Sequence, residues 1–241
     1  MLIQKNPLTM LGTIARCWLF VYQTPANDVR HLLPARLEPV QHRDCAFWNI
    51  VVCKVQNMRP KLLPLPIGVT YWHVAYRLYV NFQTLSGDTS EGLYFVRSDC
   101  DNPLMAAAGN VLTDFNFHTA SISVSENSLS TEIKIGAPFG DAYARINVTE
   151  PPALPTDSAF DTLEEAEQFL KYKPNGIAVD SSGCANVVHI VRDELAWKSK
   201  LISVEEASWA FFEDKNVRPE ICYQVEPIRY QWNRANIYPS K

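Results

Sequence analysis

The chain has 241 residues, a formal net charge of −4 and a hydrophobic fraction of 47%. This composition supports a folded core and argues against disorder. The small negative charge and the scattered Lys and Arg residues argue against nucleic acid as a partner. No apolar run approaches the about 20 residues that a spanning helix needs, so we expect no membrane partner.

Cysteine and histidine spacing narrows the function classes further. None of the six cysteines forms a CxxC pair, and no secretion signal is visible, so we expect reduced thiols and a cytoplasmic protein. The five histidines show neither HxH nor HExxH spacing, and we predict no metal site and no cofactor. Nucleophile-elbow, Walker and dinucleotide motifs are also missing from the sequence.

The first hundred residues are rich in strand signals. Asn27–Leu33 has the pattern of a short helix that ends at Pro34, and the three prolines of Arg59–Pro66 indicate a loop or an edge segment. Runs of aromatic and β-branched residues predict the remaining elements as strands. These predicted strands are Ile14–Tyr22, Leu37–Val40, Ala46–Val55, Val69–Phe82 and Gly92–Arg97.

The segment that follows predicts a helix and then a strand. Asn102 can cap the free amides of a helix, and Pro103 suits the first helical position. Leu104–Gly109 has almost no polar face, so we expect this helix to be buried on most sides. Beyond it, apolar residues alternate with serines in the pattern of a half-buried strand, at Ala120, Ile122 and Val124.

The second half predicts more strands and one exposed helix. Asp161–Leu170 carries an apolar stripe, and Asp161 with Glu164 resembles a capping box. Ser203–Phe212 fits either a helix or a strand. Strands are predicted around Ile133, over Tyr143–Val148, Ile177–Val179, Ala185–Val191 and Ile221–Trp232, with a hairpin turn at Ser181–Gly183. The proline-rich connection at 150–155 does not lead to an obvious second core, so we predict a single domain over residues 1–241.

Several segments, in this order, resemble the YqjF-like family of uncharacterised proteins, which is related to acetoacetate decarboxylase. The matching segments are Pro25 with His31-Leu32-Leu33-Pro34, Met58-Arg59-Pro60, Arg77-Leu78-Tyr79-Val80, Gly92-Leu93-Tyr94-Phe95, the Ala-Gly helix, Glu164–Tyr172 and Arg229–Trp232. The resemblance implies a mainly β (α+β) fold, with an acetoacetate-decarboxylase-like β-barrel, a buried central helix and an internal pocket. A homo-oligomer is consistent with the same resemblance.

The resemblance also implies a changed reaction centre. In acetoacetate decarboxylase a lysine of a Lys-Lys pair attacks the substrate ketone as an activated amine. That pair falls on Phe117 and His118 here, the pocket glutamate falls on His73, and Arg16 is the counterpart of the pocket arginine. Without a primary amine, decarboxylation through an imine is not expected. Lys54 could replace it, but its apolar strand favours an outward or snorkelling lysine.

The candidate site residues follow from these positions. His118 and His73 are the catalytic candidates, as acid or base, and either could instead be satisfied by a backbone carbonyl or exposed. Arg16, Arg77, Tyr94 and Phe117 are the substrate-binding candidates, although a buried arginine could instead pair with Asp99, Asp101 or Asp114.

Two functions remain open. One is a lyase-like or hydrolase-like enzyme that acts on a small carbonyl or carboxylic compound, and the other is a non-catalytic binder of a small molecule. A shifted pKa at His73 or His118 would favour the enzyme.

Overall fold

The computed structural model describes residues 5–64, 67–84, 86–171 and 173–238. The strands are β1 (Met10–Pro25), β2 (Leu37–Pro39), β3 (Gln41–His42), β4 (Cys45–Pro60), β5 (Val69–Gln83), β6 (Thr89–Cys100), β7 (Phe117–Thr119), β8 (Ser121–Glu126), β9 (Ser130–Gly136), β10 (Ala142–Asn147), β11 (Asn175–Val179), β12 (Ala185–Arg192), β13 (Ser199–Trp209), β14 (Arg218–Val225), β15 (Ile228–Trp232) and β16 (Asn236–Tyr238). The helices are α1 (Ala26–Arg30), α2 (Pro103–Leu112) and α3 (Leu163–Leu170). No helix within the described ranges combines the length and apolar character that a bilayer crossing requires.

Strand β1 organises the sheet because it is paired on both edges. One edge pairs with β4 from Met10 opposite Pro60 to Pro25 opposite Cys45. The other edge pairs first with β15, over Met10–Ile14, and then with β14, over Cys17–Gln23. From β4 the pairings run through β5, β6, β11, β12 and β15 and return to β1. Seven of the described strands therefore form a ring of pairings.

A second layer covers part of the outer face of this ring. Strand β13 pairs with β14 over Ser199–Ile202 and then crosses to pair with β10 over Ser203–Trp209. Strands β9 and β8 extend the same layer. The segment Ser203–Phe212, open between helix and strand from its sequence, is therefore mostly strand, and a 3₁₀ turn at Ala210–Phe212 follows it.

Two hydrophobic cores lie on the two faces of the ring strands, because side chains alternate along each strand. On β5 the inner core takes Tyr71, Ala75 and Tyr79, and the outer core takes Val74, Tyr76, Leu78 and their even-numbered neighbours. The outer core also contains Ile133, Ile135, Ala144 and Ile146 of the second layer. This alternation decides which predicted site residues can meet.

Helix α2 begins as predicted, but its burial differs from the prediction. The Asn102 side chain accepts hydrogen bonds from the amides of Leu104 at 3.0 Å and Met105 at 3.1 Å. Only Ala106 and Gly109 of this helix are buried, whereas 78% of Leu104 is exposed. The prediction of a buried helix is wrong, because the small residues fit one narrow contact with β7 and do not reflect burial all round.

Helix α3 begins one position later than its sequence indicates. Thr162 caps it and accepts from the Glu165 amide at 3.1 Å, while the Glu165 side chain accepts from the Asp161 amide at 2.9 Å. The capping pair is thus Thr162 with Glu165, and the predicted pairing of Asp161 with Glu164 is wrong. Tyr172, the end of the segment matched to the family, and Pro66, the end of the predicted loop, lie outside the described residues.

Candidate functional site

A cavity of about 100 Å³ lies between α2, the start of β1 and the inner face of β5. Its walls are mainly apolar and include Met10, Met58, Met105, Phe115 and Phe117. Among the described residues that line it there is no Lys, Arg, Asp or Glu. The cavity therefore offers neither the amine of a Schiff-base enzyme nor a charged partner for a ligand.

His73 is the titratable histidine of this cavity. Its side chain is 7% exposed, its ring stacks on that of Phe117 at 5.3 Å, and its Nε2 has no hydrogen-bond partner among the described residues. Burial, and secondly the charge of Arg77, lower the pKa of His73 to about 3. The imidazole is therefore neutral near pH 7, and its Nε2 can donate or accept one hydrogen bond according to its tautomer.

Phe117, the other predicted residue at the cavity, is fixed by α2. The Asn110 side chain donates to the Phe117 carbonyl at 2.8 Å and accepts from the Phe117 amide at 2.8 Å. Gly109 gives the Phe117 ring its space, since a Cβ at this position would overlap that ring. Neither Asn110 nor Gly109 was predicted as a site residue. Their only signal was a polar Asn and a Gly in a helix that is otherwise apolar.

Two further polar residues at the cavity come from the two ends of the chain. Asn6 is 9% exposed, and its Nδ2 has no partner among the described residues. Trp232 packs its ring against Phe115 at 5.5 Å, and its indole Nε1 likewise has no described partner. Sequence reasoning missed Asn6 as a site residue, because nothing local shows that residue 6 meets residue 232.

Arg77 lies on the inner face of β5, like His73, but it does not line the cavity. It is 5% exposed, donates a short hydrogen bond to the Asn49 side chain and lies 5.5 Å from the Phe95 ring centre. Asn49 in turn donates to the Tyr79 hydroxyl at 3.0 Å. The expected alternative partner Asp99 is instead bound by Arg97, at 2.9 Å.

Arg16, Tyr94 and Lys54 face away from the cavity. Arg16 is half exposed and forms an ion pair with Glu126 at 3.0 Å. Tyr94 packs against the outer core. The Lys54 amine lies 5.5 Å from the Trp72 ring centre, on the outer face. The expectation that Arg16 lies in the pocket is thus contradicted by its position on the surface.

His118 lies on the opposite face of the sheet from His73. It follows Phe117 in β7, where it is the register partner of Asp99, and its ring meets the exposed Phe139 ring edge-on at 4.8 Å. Asp99 is fully buried in its ion pair with Arg97, and burial raises the pKa of its carboxyl. The two histidine candidates therefore do not share one site.

Comparison with known protein families shows the family to which this chain belongs. A family described as DUF2071, an uncharacterized conserved protein (COG2071), matches residues 13–225. The chain belongs to this family. No curated protein matches the chain at a significant level. Membership of DUF2071 is consistent with the YqjF-like resemblance of its motifs.

Solved structures similar to this DUF2071 protein are acetoacetate-decarboxylase-like. An acetoacetate decarboxylase-like enzyme from Sphingomonas wittichii RW1 has a TM-score of 0.64 at 11% identity, over 98% of this chain and 95% of the other. Acetoacetate decarboxylase from Legionella pneumophila has a TM-score of 0.62 at 10% identity, over 95% and 86%. The enduracididine biosynthesis enzyme MppR, complexed with pyruvate, has a TM-score of 0.59 at 10% identity, over 98% and 91%. At these identities the likeness establishes the fold alone.

Proposed function

We propose that this protein binds a small carbonyl or carboxylic compound in the cavity beside His73. The observation that supports the proposal most is the Nε2 of His73, which is buried, has no described hydrogen-bond partner and belongs to a residue of a mainly apolar wall. An unpaired buried polar atom is costly, so a ligand that completes its hydrogen bond gains affinity. The similar enzyme MppR has been solved with pyruvate, a compound of this class.

In the enzyme version of this proposal, neutral His73 donates a hydrogen bond from Nε2 to the ligand carbonyl oxygen, which polarises the carbonyl and makes the hydrogens on the adjacent carbon more acidic. Its lowered pKa makes the imidazole a poor base in water and a good neutral hydrogen-bond partner. The reaction is lyase-like or hydrolase-like, without a Schiff base. His118 has no part in it, because the sheet separates it from this cavity.

The second candidate function is binding without turnover. The mainly apolar walls support it, since the described lining has no carboxylate or lysine that could act beside His73 as the second acid or base that many reactions need. The same ligand would occupy the same place in both functions. The two functions differ only in whether the protein changes the bound ligand chemically.

We further propose that the ring of strands is a closed barrel around this cavity and that residues 1–241 act as one domain. The return of the pairings from β15 through β1 to β4 supports the barrel. A cytoplasmic homo-oligomer remains our expectation from composition and resemblance.

The test is ligand-observed NMR with 2-butanone and with pyruvate. We expect at least one of them to bind the wild type and to lose affinity in His73→Phe, which keeps a planar ring without the polar atom. His118→Phe is the matched control on the opposite face and should bind as the wild type does. If neither compound binds, or if His73→Phe binds as well as the wild type, the proposal fails.

Deuterium exchange at the carbons next to the ketone then separates the two functions. An enzyme that polarises the carbonyl accelerates exchange of the 2-butanone hydrogens in D₂O, and His73→Phe abolishes the acceleration. Binding without any acceleration indicates the non-catalytic function.

A further inference from the structure

The cavity holds an unusual set of unpaired polar atoms. Asn6 Nδ2, Trp232 Nε1 and His73 Nε2 belong to residues that line it, and none has a hydrogen-bond partner among the described residues. Asn6 and His73 are each more than nine-tenths buried. The amide and indole nitrogens can only donate hydrogen bonds. The group that completes this set must therefore supply acceptor atoms.

We propose that the ligand is an uncharged hydrogen-bond acceptor, such as a small ketone, aldehyde or ester, and that Asn6 and Trp232 donate to its oxygen. This inference rests on the proposed function and narrows its ligand from carbonyl or carboxylic compounds to neutral carbonyl compounds. It also assigns two binding residues, Asn6 and Trp232.

Charge is the reason for excluding a carboxylate. Removing a carboxylate from water is strongly unfavourable unless a cation or several donors compensate it. None of the described lining residues is Lys or Arg, and His73 is neutral. Arg77 shares the inner face but its guanidinium is engaged with Asn49, and it lies outside the lining set.

Both proposed donors are held in place by contacts of their own. The backbone amide of Asn6 donates to the Leu112 carbonyl, and the backbone carbonyl of Asn6 accepts from the Ala235 amide, so the segment is tied to the end of α2 and to the connection between β15 and β16. Lys5 adds hydrogen bonds to the last carbonyls of α2 and an ion pair with Asp114 at 3.5 Å. The indole of Trp232 is packed by the Phe95 and Phe115 rings. Donors fixed in this way bind an acceptor without first being ordered.

The size of the cavity limits the ligand. A dry cavity of about 150 Å³ accommodates benzene, so a cavity of about 100 Å³ suits roughly four to five non-hydrogen atoms. Three compounds of this size differ in whether they carry a neutral hydrogen-bond acceptor, a charged acceptor or no acceptor. 2-Butanone has a neutral acceptor, propionate has a charged one, and 2-methylbutane replaces the oxygen of butanone with a methyl group.

The experiment measures the affinity of these three compounds for the full chain by NMR at pH 7. We expect 2-butanone to bind at least roughly tenfold more tightly than propionate. Asn6→Leu and Trp232→Phe should each weaken 2-butanone by roughly fivefold to tenfold, the usual effect of losing one neutral hydrogen bond. The affinity of 2-methylbutane should not fall in either variant, and Trp72→Phe on the outer face is the control.

The outcomes separate this inference from the proposed function. Tighter binding of propionate than of 2-butanone overturns the neutral-ligand inference and leaves the cavity as a binding site. Unchanged 2-butanone affinity in folded Asn6→Leu and Trp232→Phe overturns the donor assignment. If none of the three compounds binds, the proposed function and this inference fail together.

Discussion

His73 combines three properties that rarely occur together in one residue. It is buried, its pKa is lowered to about 3, and its Nε2 has no described partner. A histidine that only fills a core normally donates to a backbone carbonyl, which was the alternative that its sequence left open. The structure does not show such a bond at Nε2. The residue is therefore suited to contact a ligand.

The lowered pKa of His73 has a consequence for stability. Unfolded histidine binds a proton near pH 6.5, whereas folded His73 resists protonation down to about pH 3. The unfolded state therefore binds more protons below pH 6.5, and folding loses stability as the pH falls towards 3. At pH 4.5 this loss amounts to about 3 kcal/mol relative to pH 7.5.

Urea unfolding of the wild type and of His73→Phe at pH 7.5 and 4.5 measures this loss. The drop in unfolding free energy should be smaller by about 3 kcal/mol in His73→Phe, since phenylalanine takes no proton. An equal drop in both proteins would show that the pKa of His73 is not lowered.

The absence of a lysine from the described lining of the cavity gives a second prediction. No lysine lines the cavity among the described residues, and Lys54 lies on the outer face beside Trp72. Incubation with 2-butanone and borohydride should therefore leave the intact mass unchanged. Phe117→Lys, which places an amine at the cavity, should gain a trapped adduct. An adduct on Lys54 of the wild type would contradict the argument from the missing amine.

Part of the site could be predicted from the sequence. The rest could not, because the sequence does not fix the strand register that decides which face of the sheet a residue occupies. The resemblance placed His73 and Phe117 together, and their rings do stack. The same reasoning treated His118 as a pocket residue, although simple alternation sends the neighbour of Phe117 to the other face. Arg16 was misplaced for a related reason: an irregularity in the β1–β4 pairing between Ile14 and Arg16 changes the register there. Such irregularities depend on the partner strand and leave no local signal.

In helix α2 the run of small residues allows one close contact and does not indicate burial on all sides. The sequence Leu104–Gly109 has almost no polar face, and burial on all sides was the natural expectation. The small residues instead permit one close contact, in which Gly109 lies against the Phe117 ring. A backbone that approaches a ring this closely leaves no room for a Cβ.

Gly109→Ala should therefore destabilise the protein, although alanine is the better helix former by about 1 kcal/mol. Overlap with the Phe117 ring should cost about 1–3 kcal/mol and displace that ring into the cavity. Urea unfolding and 2-butanone affinity measure the two effects. Ala107→Gly, at an exposed position of the same helix, should lose about 1 kcal/mol and keep its affinity. A stabilised Gly109→Ala would contradict the close contact.

At the scale of the whole molecule, the individual strands were predictable and their arrangement was not. Strand-forming runs such as Ala46–Val55 and Val69–Phe82 lie within the observed β4 and β5. The ring depends on pairings between distant segments, such as Met10 with Trp232. Hydrophobic alternation identifies a buried face but does not choose the partner strand. The cavity could not be predicted for the same reason, because residues from both ends of the chain line it.

The outer face of α2 bears on the expected homo-oligomer. Leu104 and Val111, two turns apart on one side of the helix, are 78% and 59% exposed. Apolar residues exposed together on one helix face can form part of a surface that contacts another protein. We expect this stripe to lie in the interface between copies of the chain.

Light scattering on the purified protein tests that expectation. The wild type should be oligomeric, and Leu104→Glu combined with Val111→Glu should be monomeric with its circular dichroism unchanged. A monomeric wild type, or a double variant that still assembles, would contradict it.

The central claim is that a neutral, buried His73 contacts a small carbonyl ligand. The most direct measurement is the ¹⁵N imidazole spectrum of His73, assigned by its loss in His73→Phe, between pH 7.5 and 4.5 with and without 2-butanone. The account predicts that His73 stays neutral throughout this range and that 2-butanone shifts its Nε2 resonance. A His73 that titrates near pH 6.5 and does not respond to 2-butanone would contradict it.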